Sequence, residues 1–314
     1  MNWLKRSYIY LIGFYVSFLN RSDKVRDFLL WPLATRVLGR GFSTARFLKQ
    51  GFWLKADMGD ILSRYVIFFG PFKRDFWEPQ TTAVLKQLVR EREGDILLAG
   101  SHLGYFTVLA GLLASKLNKK IYAFEPVDYL YQLSAENIKL NKLNDSVVLA
   151  KAALAEKTGQ AEIFIESIRS SLVPYTADHL AHGKKEFVPT IKIDDWRKDQ
   201  PIKKIGVIFL DIEGYELFAL RGAEEVLKKD KPTLVVEISQ KILDQMPISE
   251  DDIINYLESL GYDLYVIDDN YDTAHIERGA SVGPGGILKN LAEYKKQPMA
   301  GQYYNLVAVA KSNV

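Results

Sequence analysis

Two patterns of hydrophobic positions alternate along the chain from about residue 95 onwards. Short apolar runs predict buried strands, and the segments between them carry apolar residues at helical spacing. The predicted strands cover residues 96–99, 121–124, 147–149, 161–165, 188–193, 207–210, 234–238, 264–267 and 305–310. Strands that are apolar throughout and joined by helices predict a parallel sheet covered by helices on both faces, which is an α/β fold.

The helical segments predicted by the same patterns lie at residues 81–93, 105–117, 129–143, 216–228 and 251–260. We predict short strands and turns for residues 51–80 and a basic helical extension for residues 1–50. The final strand is not preceded by a helix, which predicts an antiparallel addition at the edge of the sheet.

The first fifty residues carry nine Lys or Arg against two Asp, so this arm has a charge of +7 in a chain of +2. One interpretation is an anionic surface as neighbour, and the other is a pair of solvated helices packed on the body. Within the arm, "YIYLIGFYVSFL" is shorter than the roughly 20 residues of a spanning helix. We therefore predict a cytoplasmic protein with peripheral contact to the inner membrane surface through residues 1–20.

Glycines and carboxylates follow the predicted strands at their carboxyl ends. Gly100-Ser101-His102-Leu103-Gly104 follows the first strand, Glu125 the second, Ala152-Ala153 the third and Asp211-Ile212-Glu213-Gly214 the fourth, while Glu237 lies within the next. In an open parallel sheet, ligands bind outside these strand ends. The sequence therefore predicts a polar cofactor site there.

The spacing of the glycine turn narrows the choice of cofactor. It is G-x-x-x-G rather than the G-x-G-x-x-G that holds a dinucleotide pyrophosphate. Glu125 stands 25 residues after Gly100, where an acid can accept the hydroxyls of a ribose. A ribose-binding acid without a diphosphate turn favours S-adenosylmethionine over NAD. The alternatives are a nicotinamide oxidoreductase, and a Glu125 that is only a surface carboxylate.

Several motifs, in order, resemble the FkbM family of S-adenosylmethionine-dependent methyltransferases. They are "GDILLAGSHLGYFT", "YAFEPVDYLYQLSAENIKLN", "VVLAKAAL", "IKIDDW", "VIFLDIEGYELFALRGAEEVL" and "PTLVVEIS", and the resemblance runs from about residue 51 to 309. It implies a class I methyltransferase fold of seven strands, all parallel but one. It also implies a methyltransferase domain at 51–314 with a core at about 81–312, and methylation of a hydroxyl, often on a sugar or polyketide.

The resemblance also implies roles for residues. The turn would lie alongside the methionine part of the cofactor, through Gly100, Ser101, His102 and Gly104, with Asp211 near that end. Glu125 would bind the ribose. Ala152 and Ala153 would lie against the adenine.

Three positions depart from the usual family pattern. The family commonly has Asp, Asn and Lys where this chain has Leu98, His102 and Phe209. His102 is either a contact to cofactor or acceptor, or a turn histidine bonded to backbone.

Three carboxylates are the candidates for chemistry. A sugar hydroxyl is a weak nucleophile, so a positioned base or a metal is expected. Asp211, Glu213 and Glu237 converge at neighbouring strand ends, and close carboxylates raise one another's pKa. We predict Glu213 as the base, supported by Asp211 and Glu237; the alternatives are a divalent-cation ligand, and an acid that only starts a helix.

No metal is predicted. Cysteine is absent, which excludes thiolate nucleophiles and cysteine zinc sites, and His179 and His182 sit in a polar loop without a matching partner. The segment Gly283-Pro284-Gly285-Gly286 predicts a mobile lid or a plain connection.

The sequence therefore leaves two functions. One is an O-methyltransferase for a hydroxyl of a glycan, glycolipid or small-molecule acceptor. The other is a non-catalytic scaffold on the same fold, motivated by Leu98 and Phe209. A nucleic-acid partner is not predicted, and self-association into a homo-oligomer stays open.

Overall fold

A computed structural model describes residues 42–47, 51–57, 77–166, 169–171, 184–273, 283–296 and 303–311, with single residues 11, 63, 66 and 275. Apart from Leu11, the first twenty residues lie outside this description, as do His179 and His182. The predicted membrane contact therefore concerns residues that are not described. Within the predicted helical extension, residues 42–47 form a strand, so the prediction is wrong there.

The described residues form a central eight-stranded sheet, a small four-stranded sheet and a two-stranded hairpin. The strands are β1 Phe42–Phe47, β2 Phe52–Asp57, β3 Asp95–Ala99, β4 Ile121–Phe124, β5 Val147–Ala150, β6 Ala153–Leu154, β7 Gly159–Glu166, β8 Arg169–Ser171, β9 Lys184–Ile191, β10 Ile205–Leu210, β11 Thr233–Ser239, β12 Tyr262–Ile267, β13 Leu288–Asn290 and β14 Tyr303–Ala310.

The central sheet has the order β13-β12-β14-β11-β10-β3-β4-β5. Strands β5, β4, β3, β10 and β11 are parallel neighbours, and β14 runs antiparallel to both β11 and β12. Seven strands with one reversed confirm the class I methyltransferase fold, and the short β13 extends the edge. The final strand lies inside the sheet, so our expectation of an edge position for it is wrong. Its residues Leu306, Val307 and Ala308 are fully buried, which suits an internal strand.

The helices among the described residues are α1 Pro79–Glu91, α2 Tyr105–Ala114, α3 Asp128–Leu140, α4 Ile193–Lys198, α5 Glu216–Arg221, α6 Glu224–Lys229, α7 Gln240–Leu243, α8 Glu250–Ser259 and α9 Leu291–Tyr294. The helix predicted at 216–228 is split in two at Gly222. A Cβ at this glycine would lie 2.1 Å from the carbonyl oxygen of Ala155, so only glycine allows this approach. None of the helices described here has the length and apolar character needed to cross a membrane.

Two apolar clusters, one on each face of the sheet, hold the fold together. Along β10, Val207 and Phe209 enter one cluster, and Ile208 and Leu210 enter the other. Successive side chains of a strand point to opposite faces, so a strand buried on both sides is apolar at every position. All four side chains are about 1% exposed or less.

The hairpin and the small sheet flank the carboxyl ends of the central strands. Phe47 of β1 and Phe52 of β2 stack with ring centroids 4.6 Å apart, and both rings pack against Tyr105 at the start of α2. The small sheet begins directly after β5, because β6 pairs with β9. The small sheet therefore contributes to the wall above the strand ends, whereas the hairpin packs behind that wall, against Tyr105.

Candidate functional site

A cavity of about 300 Å³ lies at the carboxyl ends of the central strands. This volume falls at the lower end of the range of small-molecule sites. Of the predicted cofactor contacts, the structure places on its wall Gly100, Ser101, His102, Glu125, Ala152, Ala153 and Asp211. The predicted catalytic group, Asp211, Glu213 and Glu237, lies on the same wall. Only Gly104 among the predicted site residues is not placed there.

The turn after β3 depends on two glycines with left-handed backbone. Gly100 has φ +83°, and a Cβ there would lie 1.8 Å from the carbonyl oxygen of Asp211. Gly104 has φ +93° and precedes α2, where a Cβ would lie 3.0 Å from Ser134 Oγ. Gly100 therefore lets the turn touch the end of β10, and Gly104 lets helix α2 pack against α3.

The Ser101 hydroxyl fastens this turn to two helices. Its Oγ lies 2.7 Å from Thr107 Oγ1 of α2 and 2.7 Å from Ser134 Oγ of α3. Ser101 is 4% exposed and the other two are fully buried. The three hydroxyls satisfy one another inside the protein, so Ser101 holds the shape of the cavity wall.

His102 connects the turn to the acid after β4. Its φ is +49°, a left-handed value that histidine and asparagine adopt more readily than most residues. Its backbone N–H donates to Glu125 Oε2 at 2.7 Å. Histidine can therefore adopt the left-handed backbone conformation of this position, as the family's usual asparagine also can.

Glu125 is a buried carboxylate held by backbone. Its second oxygen, Oε1, accepts from the Val127 N–H at 3.0 Å, and the residue is 3% exposed. Burial raises the pKa of Glu125 to about 7, against the two backbone hydrogen bonds, which lower it. Each oxygen keeps a lone pair beyond its backbone partner, so this carboxylate can still accept bonds from a pair of hydroxyls.

The turn after β10 carries Asp211 and Glu213 and is clamped by a buried acid, Glu216. Glu216 Oε1 accepts from the N–H of Ile212 at 3.0 Å and of Gly214 at 3.2 Å. Burial raises the pKa of Glu216 to about 7, and these backbone bonds oppose the rise. Glu213 has φ +54°, so the clamp fixes a strained residue on the cavity wall.

Asp211 and Glu237 form a coupled pair of carboxyl groups. Burial raises the pKa of both well above the ordinary range, and the negative charges around them add to the rise. Both side chains lie on the cavity wall, and the charge of Asp211 is the largest cause after burial of the raised pKa of Glu237. Carboxyl groups with a raised pKa hold a proton more readily than ordinary acids, so this pair is suited to exchange a proton with a bound molecule.

The sequence interpretation missed Glu78 and its partners. Glu78 lies on the cavity wall just before α1, and it accepts from Tyr303 Oη and from Asn305 Nδ2, both at 3.4 Å. Burial raises the pKa of Glu78, while hydrogen bonds from Thr81, Tyr303 and Asn305 lower it. No motif marks this residue, because its partners come from the far end of the chain.

The substituted positions Leu98 and Phe209 lie side by side, away from the cavity. The two residues are paired across β3 and β10, both are at most 1% exposed, and both belong to one apolar cluster. Phe209 also packs on Phe106, with ring centroids 5.0 Å apart. An apolar contact therefore occupies two positions that are polar in the family pattern. The cavity wall begins one residue after Leu98, at Ala99.

Asn137 and Asn141 of the family motif bind the hairpin to the fold. Asn141 accepts from the Trp53 N–H at 2.8 Å and donates to the Trp53 carbonyl at 2.7 Å. Asn137 does the same at Lys55 and also donates to the Leu103 carbonyl at 2.7 Å, in the glycine turn. The spacing of four residues places both amides on the same side of α3, with Asn137 in the last turn and Asn141 at the C-cap.

The remaining candidates do not join the cavity. Residues 283–286 are described and are not on its wall, so their role as a lid stays a prediction. Within the described ranges, no group of three or more His, Asp or Glu side chains could hold a metal ion.

Comparison with known proteins gives the family. Residues 99–264, more than half of the 314, match the Methyltransferase FkbM domain. Methyltransferase sdnD of Sordaria araneosa is 25% identical over an alignment of 158 residues, which covers 41% of this chain and 60% of that protein. The chain thus spans less than two thirds of this relative.

Solved structures share lower identity with the chain. Methyltransferase FkbM from Methylobacillus flagellatus KT is 21% identical, with 55% of this chain and 39% of that chain covered and a TM-score of 0.39. An O-methyltransferase from Bacillus cereus in complex with SAH is 13% identical over 98% of this chain and all of that chain, with a TM-score of 0.41. The domain match, which spans the glycine turn and both acidic strand ends, shows that this chain belongs to the FkbM methyltransferase family.

Proposed function

We propose that the protein transfers a methyl group from S-adenosylmethionine to a hydroxyl oxygen of a sugar, in a glycan, a glycolipid or a related metabolite. The observation that carries the proposal is that one cavity joins Glu125, just after β4, with Asp211, just after β10, and Glu237, within β11. Family membership supports the reaction class.

The residues present fit the cofactor. The buried Glu125 carboxylate offers two oxygens for ribose hydroxyls, and Ala152 and Ala153 offer a small apolar surface for a flat adenine. The turn at Gly100 supplies close backbone approach without side-chain bulk. S-adenosylmethionine supplies an electrophilic methyl group on a sulfonium when bound.

The acidic residues at the other end would position and deprotonate the acceptor. An alcohol oxygen becomes a better nucleophile as it loses its proton, and Glu213 or the Asp211–Glu237 pair can accept that proton. Glu216 keeps the turn that carries Asp211 and Glu213 in place. The apolar side chains that the small sheet adds to the wall, Leu154 and Ile163 among them, would limit water in the cavity.

Calorimetric titration with S-adenosylmethionine tests the cofactor, and transfer of a labelled methyl group tests the reaction. Glycan and lipid extracts from cells lacking the gene serve as acceptors. Glu125→Ala should weaken cofactor binding at least tenfold, whereas Glu258→Ala, at an exposed position on α8, should leave it unchanged. Absence of binding at saturating cofactor would reject the proposal and favour the non-catalytic scaffold.

We further propose that the basic arm brings the protein to the inner membrane surface. The support is the charge of +7 in the first fifty residues and the aromatic segment at 8–19. Co-sedimentation with anionic vesicles tests this idea, with deletion of residues 1–20 as the comparison. Equal binding of both forms would refute it.

A further inference from the structure

We infer that the hairpin β1–β2 controls the cofactor site from behind the cavity wall, and that Asn137 is the positioning residue that links it to the glycine turn at 100–104. Affinity for the cofactor therefore depends on a docked hairpin. The inference rests on the proposed function, because it takes S-adenosylmethionine as the ligand of this turn. None of the hairpin residues 42–47 and 52–57 lines the cavity itself.

One side of α3 carries a row of polar side chains that leads from the turn to the hairpin. Ser134, Asn137 and Asn141 are spaced by three and four residues, which places them on the same side of a helix. Ser134 Oγ lies 2.7 Å from Ser101 Oγ in the turn. At the other end of the row, Asn141 bonds the backbone of Trp53 in β2. Asn137 lies between them and contacts both the turn and the hairpin.

The fully buried amide of Asn137 is shared between these two elements. Its Oδ1 accepts from the Lys55 N–H at 2.6 Å, and its Nδ2 donates to the Lys55 carbonyl at 2.9 Å and to the Leu103 carbonyl at 2.7 Å. A side-chain amide nitrogen has two hydrogens, and these bonds use both. Two of the three bonds that orient the amide therefore come from the hairpin, and the third holds the turn.

The carbonyl that Asn137 holds belongs to a residue of the cavity wall. Leu103 lines the cavity, and the residue before it, His102, donates its backbone N–H to Glu125 at 2.7 Å. A shift of the turn at Leu103 would therefore also move the donor that fixes the predicted ribose ligand. The orientation of the Asn137 amide thus bears on two parts of the cofactor site.

The hairpin also meets the wall through aromatic rings. Phe47 and Phe52 each lie 6.1 Å, between ring centroids, from Tyr105, which lines the cavity at the start of α2. Undocking of the hairpin would remove these ring contacts and both Asn137 bonds to Lys55 together. The turn therefore differs between the docked and undocked forms, and a ligand that needs the docked turn binds the docked protein more tightly.

The size of the coupling follows from the bond between Asn137 and Leu103. Loss of one such hydrogen bond changes an equilibrium about 3- to 10-fold, so an undocked hairpin should weaken cofactor binding by about that factor. Coupling between two sites is reciprocal. Bound cofactor should therefore stabilise the docked hairpin by the same factor.

The first experiment measures binding of S-adenosylhomocysteine by calorimetry. Asn141→Ala removes two bonds to Trp53 at a position that does not line the cavity. Ser249→Ala is the control, because it removes the cap of α8 and lowers stability without removing a bond to the hairpin or the turn. We expect Asn141→Ala to weaken binding about 3- to 10-fold, whereas the control binds as the full chain does. Equal affinities of the two variants overturn the inference.

The second experiment needs no variant. Hydrogen exchange at the Trp53 and Lys55 amides, which donate to the two asparagines, reports opening of the hairpin. As S-adenosylhomocysteine is raised, this exchange should slow about 3- to 10-fold and then level off, because an open hairpin weakens binding without abolishing it. Exchange that does not respond to the ligand, or that slows in step with the amides of α8, overturns the inference.

Failure of the proposed function gives a different result. If neither S-adenosylmethionine nor S-adenosylhomocysteine binds the full chain, the proposed function fails, and the turn itself decides the inference. Without ligand, the amides of residues 101–104 should exchange faster in Asn141→Ala than in Ser249→Ala. Equal exchange rates in the two variants show that the hairpin does not position the turn.

Discussion

Replacing Leu98 by aspartate restores the acid that the family usually has, and we expect it to unfold the protein rather than improve it. Leu98 is fully buried beside Phe209 in the apolar core. Loss of the leucine packing costs about 2–5 kcal/mol. Burial of a polar group without a partner adds about 1–3 kcal/mol.

The total is therefore about 3–8 kcal/mol, which is comparable with the whole stability of a typical domain at 5–15 kcal/mol. Urea denaturation measures the change through the midpoint at constant m-value. Leu98→Asn has nearly the shape of Leu98→Asp without its charge. The free energy of unfolding of Leu98→Asp should fall further below that of Leu98→Asn as the pH rises. Burial raises the pKa of the new carboxyl group in the folded state, so folding is increasingly disfavoured as that group ionises.

Adding Phe209→Lys to Leu98→Asp should recover part of the loss. The two positions are direct neighbours on β3 and β10, so opposite charges there can pair, with a coupling of about 1–3 kcal/mol. Additive losses in the double variant would show that the two departures are independent. A Leu98→Asp protein with wild-type stability and tighter cofactor binding would refute the placement of this side chain in the core.

Three further predictions concern the turn, the buried acids and the hairpin. Gly100→Ala should lose soluble protein or cofactor binding, because its Cβ would lie 1.8 Å from a carbonyl oxygen at φ +83°; expression and calorimetry measure this. Without cofactor, the melting temperature should fall as pH rises from about 4.5 to 8. Glu125 and Glu216 have a folded pKa raised to about 7, so their stabilisation is present at low pH and is lost as pH passes 7; Glu216→Gln should flatten the profile. Asn141→Ala removes two bonds to Trp53, which should cost about 1–3 kcal/mol and expose residues 51–57 to limited proteolysis.

Each of these has a contrary result. A Gly100→Ala protein that melts and binds as the wild type would disprove the close approach to β10. A melting temperature that rises steadily to pH 8 would contradict the direction of the two pKa shifts. Proteolysis of Asn141→Ala at the wild-type rate, with Glu258→Ala as control, would show that other contacts hold the hairpin.

The main sheet and half of the site could be predicted from the sequence because they depend on local pattern. β4 matches the predicted residues 121–124, and Glu125 and Asp211 meet at one sheet edge because parallel strands end together. The strand at 42–47 has the alternation typical of a half-buried strand, because Ser43, Ala45 and Phe47 are buried at a spacing of two. The prediction treated residues 1–50 as one helical segment and did not use this alternation.

The other half of the site depends on contacts that no local pattern reveals. Glu78 meets Tyr303 across 225 residues and Asn305 across 227. The place of β14 between β11 and β12 brings these partners to the cavity, and the sequence predicted the strand but not its neighbours. The break at Gly222 likewise depends on a carbonyl from the loop after β6.

The two asparagines of α3 also impose an order on assembly. Their side-chain amides make the backbone hydrogen bonds to the hairpin that a neighbouring strand would otherwise make. The two amides are aligned for these bonds only after the helix has formed. Their partners Trp53 and Lys55 precede them by 88 and 82 residues, so during synthesis the hairpin emerges long before its docking surface exists. We therefore expect the segment made earlier to join the fold later. Because Asn137 also donates to the Leu103 carbonyl, the helix that receives the hairpin also holds the glycine turn after β3.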